Sequence, residues 1–197
     1  MAKDKIKTKN LKRIDISNII QKGNPTLRKI SEPVIFPLSK EDRTIMNQMI
    51  DYVQSSQNEN EVKERDLVPA VGLSGVQIDK PKRMFYVRIE NDYEKNNEEF
   101  ALINPEIVYE SEQKVYLESG ESCLSVREKD YEGYVMRPYE IKMRAIDFFS
   151  DQEIEITAKS FTAIVLMHEF DHLNGVMYYD RINKLDPFYV EKKAIKV

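Results

Sequence analysis

Residues 160–173, SFTAIVLMHEFDHL, constrain this chain more than any other stretch. Phe161, Ile164, Val165 and His168 recur at helical spacing, and His172 extends the same face. Ala163, Leu166 and Met167 make the other faces apolar too. A helix apolar all round belongs in an interior. Asn174-Gly175 supplies the stop that follows a helix end. Any fold for this chain must therefore enclose His168, Glu169, Asp171 and His172. Burying such groups is costly unless each has a specific partner.

His168 and His172 are the only histidines present. At i and i+4 their imidazoles lie one turn apart on one helix face and can bind one divalent ion. Glu169 sits beside that face, placed to reach water at the ion rather than the ion itself. Two imidazoles leave the ligand set incomplete, and no third histidine exists to complete it. The candidates are Cys123, in ESGESCLSV (118–126), and a carboxylate such as Glu191. Thiolate binds zinc and ferrous iron well. Asp171 falls on another face, where an ion pair or a supporting contact beside the ligands is expected rather than metal ligation, Arg137 being a candidate partner.

A length of 197 residues suits one domain, 1–197, able to bury a core without disulfides. The single cysteine excludes an internal disulfide and fits the reducing cytoplasm. No apolar run approaches a membrane span. The start, MAKDKIKTKNLKR, is basic, but no hydrophobic stretch follows, unlike a secretory signal. These first thirteen residues carry six Lys/Arg and one Asp in a chain whose net charge is −4. Such a tail is either a solvated terminus or a contact for a polyanion such as ribosomal RNA. Nothing points to sequence-specific nucleic-acid binding.

Ser39 reads as the N-cap of SKEDRTIMNQMIDYVQ, an amphipathic helix burying Ile45, Met46, Met49, Ile50 and Val53. GNPTLRKISEPV (23–34) is an irregular lead-in, and SSQNENEVKERD (55–66) is expected to be an exposed loop. RMFYVRI (83–89) and FALINPEIVYE (100–110) predict an antiparallel pair joined by a long acidic link. KVYLES (114–119), YVMRPYEIKMRAIDF (134–148) and EIEIT (153–157) predict further strands, the last two meeting at a Ser150-Asp151 turn. The order predicts an α+β fold. In it, antiparallel or mixed sheets pack around a buried central helix carrying HExxH, with one amphipathic helix near the N-terminus.

VGLSGVQ (71–77), ESCLS (121–125) and HEFDHL (168–173), in that order, resemble the three motifs of the peptide deformylase family. Those motifs run G-φ-G-φ-A-A-x-Q, then E-G-C-L-S, then Q-H-E-x-D-H. The resemblance covers roughly residues 20–183 and favours the longer-looped branch found in Gram-positive bacteria and their relatives. It implies Cys123, His168 and His172 as metal ligands and Glu169 as general base and acid. Gln77 and the Leu124 N–H would hold the oxyanion. Val71, Gly72 and Ser122 would pair with the substrate backbone, with Ile164 and Phe161 in the methionine pocket. The implied cofactor is one divalent ion, Fe2+ natively, with Zn2+, Ni2+ or Co2+ after purification. The implied activity is removal of the formyl group from formyl-methionyl nascent peptides in the cytoplasm, releasing formate. Ala70, Ser74-Gly75, Ser122 and Met167 depart from the family pattern, and Ser122 stands nearest the chemistry. Two other readings of the same residues are a thermolysin-like zinc peptidase using Glu191 and an inactive deformylase-like shell that binds peptide or metal.

Overall fold

The computed structural model of the chain describes residues 12–90, 97–127 and 131–197. Four antiparallel pairings build a five-stranded sheet, in the order β1 (Gly72–Ser74), β2 (Met84–Ile89), β3 (Glu98–Glu110), β6 (Glu140–Asp147) and β7 (Gln152–Lys159). A smaller mixed sheet places β4 (Lys114–Tyr116) between β5 (Arg137–Pro138), which it meets antiparallel, and β8 (Ile195–Lys196), which it meets parallel. Among the described residues three α-helices, α1 (Lys40–Ser56), α2 (Glu59–Arg65) and α3 (Ser160–Leu173), complete the α+β architecture that the element order predicts.

Strand β2 explains the layering. Successive side chains of a strand point to opposite faces. Met84 and Tyr86 join the core under α1, with Met46, Met49, Val53 and Ile103. Phe85, Val87 and Ile89 join the core under α3, with Leu102, Met143, Ala163 and Leu166. The sheet is thus covered on both faces here, so MFYVRI reads as a nearly unbroken apolar run rather than an alternating one. Strand β6 is covered on one face only, and Ile141, Met143 and Ala145 alternate inward as its pattern requires. The Asp147–Gln152 connection turns at Asp151, whose φ is +54°.

α1 begins where the capping pattern predicts. The Ser39 side chain accepts from the Asp42 N–H, and the Asp42 carboxylate accepts from the Ser39 N–H. The stretch 55–66 is a correction: it is not a loop. Ser55 and Ser56 finish α1, and a second short helix follows. The Asn58 side chain accepts from the Asn60 and Glu61 N–H groups, acids fill the first turn, and Lys63 and Arg65 fill the last. Arg65 folds back to donate to Asp51 at 2.7 Å and Ser55 at 2.6 Å. End chemistry and charge make α2, which has no apolar stripe. Most of the acidic link between β2 and β3 lies outside the described residues.

Helix α3 crosses β1, β2 and β5. After it, Gly175 adopts φ +70°, and a Cβ there would lie 2.5 Å from the Arg28 carbonyl oxygen, so the position demands glycine. The chain then turns through a 3-10 segment, Tyr178–Arg181, which swings Arg181 back toward α3.

Candidate metal centre and cleft

His168 and His172 project from one face of α3 with ring centroids 4.9 Å apart. Cys123 reaches them from the loop between β4 and β5, at the start of a turn closed by the Val126 N–H donating to the Cys123 carbonyl at 3.0 Å. Its Sγ lies 3.3 Å from His172 Nε2. One ligand atom from each of Cys123, His168 and His172 falls within 4.8 Å of the others. Glu191, the rival third ligand, is not in this group; among the described residues the thiol completes it.

The histidines are not equivalent. His168 Nδ1 lies 2.8 Å from Glu121 Oε2, which leaves Nε2 for the centre. Glu121 is clamped in turn by Arg137, whose Nε and Nη2 donate to its two oxygens at 2.8 and 2.9 Å. Arg137 Nη1 donates to Asp171 at 2.5 Å, and Arg181 donates to both Asp171 oxygens. Arg137 is 1% exposed, so this is a buried chain of charges running outward from a histidine ring. Burial pushes the Glu121 carboxyl up, but Arg137 and His168 outweigh it and hold it at about 2. Burial likewise pushes His168 down, yet Cys123 and Glu121 raise it well above its ordinary value. Burial and then the charge of His168 keep His172 well below its own.

These surroundings fit a divalent cation. The thiol and Glu121 favour positive charge where His168 meets Cys123, and a metal ion supplies it while the imidazoles stay neutral. Thiolate with two imidazoles is a donor set for zinc or ferrous iron, and three protein ligands leave a position for water or substrate. His172 Nδ1 and Glu169 Oε2 are buried without a hydrogen-bond partner among the described residues.

The centre opens into a cleft of about 870 Å³. Val71, Gly72, Gln77, Ser122, Leu124, Phe161, Ile164 and Glu169 all line it, with Cys123 and His168 at its floor. The sequence-named residues, scattered over a hundred positions, therefore meet in one place; His172 lies behind them, fully buried. Burial, with the carboxylate of Glu121 helping against the opposing His168, pushes Glu169 up to about 7. The Gln77 amide is aimed: its oxygen accepts from the Ser74 N–H at 2.9 Å and from the Ser74 hydroxyl at 3.0 Å. Its nitrogen therefore points at Cys123 Sγ, 3.5 Å away. The Val71 carbonyl already accepts from the Arg88 N–H at 2.8 Å, so that oxygen is engaged with β2.

Reading the sequence missed two residues here. Glu121 precedes Cys123 by two positions in ESC, and its acidic type beside a ligand loop was the available signal. Ser74 looked only like a small residue beside the backbone, whereas its hydroxyl orients Gln77.

A family profile described as polypeptide deformylase matches residues 16–188. The chain belongs to the polypeptide deformylase family. Peptide deformylase 2 of Geobacillus stearothermophilus is 43% identical over 184 residues, covering 93% of this chain and 98% of the relative. The peptide deformylase of Malacoplasma penetrans is 40% identical over 175 residues, covering 88% and 91%. Among solved structures, a class I type b peptide deformylase from Acinetobacter baumannii with Met-Ala-Ser bound aligns with a TM-score of 0.63 and 26% identity. It covers 83% of this chain and 96% of that one. As a deformylase the chain is a metal-dependent hydrolase. No helix among the described residues is long and apolar enough to cross a membrane.

Proposed function

We propose that the chain folds as one domain around α3 and removes the formyl group from formyl-methionyl nascent peptides in the cytoplasm, using the cleft above. The observation that carries this reading is the meeting of Cys123, His168 and His172 within 4.8 Å at the floor of a cleft shared with Glu169 and Gln77. Cys123, His168 and His172 would hold a divalent ion, natively Fe2+, with Zn2+, Ni2+ or Co2+ able to replace it. When bound, such an ion supplies Lewis acidity and lowers the pKa of water from about 16 toward about 7.

The chain's own groups do the rest. The methionine side chain enters between Phe161 and Ile164, while Gly72 and the Ser122 carbonyl align the peptide backbone. Glu169 takes the proton of the water that attacks the formyl carbon, which its raised pKa allows it to hold. The Gln77 amide, pre-aimed by Ser74, and the Leu124 N–H steady the oxyanion. Glu169 then delivers the proton to the leaving amine, and formate departs from a free N-terminal methionine. Glu121 and Arg137 fix the ring of His168. The basic stretch 1–13, of which residues 1–11 lie outside the described residues, is either a solvated terminus or a contact for ribosomal RNA.

Metal content and formate release after two substitutions test the ligand set. Cys123→Ala is expected to lose both, and Glu191→Ala to keep both. The opposite pattern would overturn the assignment.

A further inference from the structure

Gly72 lies buried on the edge strand β1, against α3. A Cβ at this position would lie 2.5 Å from Glu169 Oε1, 2.9 Å from its Cδ and 3.0 Å from its Cγ. The Glu169 side chain therefore fills the volume that any other residue at 72 would occupy. The neighbouring glycine differs: at Gly75 a Cβ would meet the backbone carbonyl of Lys80 at 2.7 Å, so that glycine serves the fold. At Gly72 all three nearest atoms belong to the far end of one side chain, which can swing aside. The fold tolerates a methyl group there; the position of the carboxylate does not. Hydrogen bonding does little to resist the swing, because Glu169 Oε2 is buried without a partner among the described residues.

We propose that Gly72 is a positioning residue for Glu169: by having no side chain it sets where the carboxylate rests above the centre. This rests on the reading of Glu169 as the group that moves the proton, and it separates two uses of one glycine. A peptide group that pairs with substrate acts on binding, whereas vacant space that seats a carboxylate acts on the chemical step. Misplacing a catalytic group by about 1 Å costs on the order of 100-fold in rate.

A double-mutant cycle on metal-loaded enzyme with formyl-Met-Ala-Ser tests this. Gly72→Ala should keep the wild-type metal content and melting temperature, leave KM near its starting value and lower kcat on the order of 100-fold. A crystal structure of that variant should show Cys123, His168 and His172 in place and the carboxylate displaced. Glu169→Asp puts its carboxyl carbon where Glu169 Cγ lies, 3.0 Å from the added Cβ, and draws the carboxylate back from the 2.5 Å contact, so adding Gly72→Ala to it should lower kcat by clearly less than in the wild-type background. A rise in KM at unchanged kcat, an equal loss in the Glu169→Asp background, or a loss of metal or fold would each overturn the proposal. Glu169→Ala serves as the control. If it is inactive while Gly72→Ala is fully active, this inference alone fails. If it turns over normally, the base assignment fails and takes this inference with it.

Discussion

Glu169 is a buried carboxylate at the cleft with no donor on Oε2 among the described residues, an arrangement that favours a group able to take up and release a proton. Glu169→Ala is expected to retain the metal and lower formate release by about two to four orders of magnitude. Gln77→Ala is expected to lose about two to three orders in kcat, the usual effect of removing one oxyanion donor. Ser74→Ala should cost only about fivefold, because the backbone N–H of residue 74 still holds the Gln77 oxygen while one neutral hydrogen bond is lost. Steady-state kinetics on the three variants checks this ranking. At this scale the histidine pair was legible because the chain has only two histidines, whereas Cys123 stood level with a carboxylate until the three motifs favoured it. Glu121 was not legible, since the chain has 34 Asp and Glu residues and only folding selects the one that meets His168.

Helix α3 keeps its two histidines in place through the buried pairs that surround it. Arg137 links Glu121, from the cysteine loop, to Asp171, from the helix, and its removal leaves Glu121 to His168 and Asp171 to Arg181 among the described residues. Arg137→Ala is expected to cost about 3–5 kcal/mol of stability, read as a lower urea midpoint. It should also weaken metal binding about 10- to 100-fold, because Glu121, which orients His168, loses its clamp. That Asp171 needs a partner followed from sequence because it sits in a helix that must be buried, whereas Arg137 is one of 30 Lys and Arg residues and only the fold selects it. Helices α1 and α3 were legible for a related reason: each carries an apolar pattern at helical period. Helix α2 was not, since Val62 is the one apolar residue within Glu59–Arg65 and its ends are made by Asn58, Asp66 and Arg65.

Across the molecule, a sheet covered by α1 on one face and α3 on the other brings three distant motifs to one cleft. Strand β1 delivers Gly72, the segment after it delivers Gln77, the loop beyond β4 delivers Cys123, and α3 delivers both histidines. Strands β2, β3, β6 and β7 were legible as alternating and unbroken apolar runs, but β1 was not, and which edge faces the helix depends on the packing of whole layers. Removing residues 1–11 should leave tripeptide turnover unchanged; a fall in salt-sensitive cosedimentation with ribosomes would assign the basic stretch to RNA contact, and no change to a solvated terminus. The central claim is that this centre cleaves a formyl amide. It is tested most directly by measuring formate and peptide products from formyl-Met-Ala-Ser with protein purified without oxygen, since a thiolate ligand is open to oxidation. The expected result is one formate released per free Met-Ala-Ser, with the internal peptide bonds intact. Cleavage at an internal bond, or metal-loaded protein that releases no formate, would contradict it.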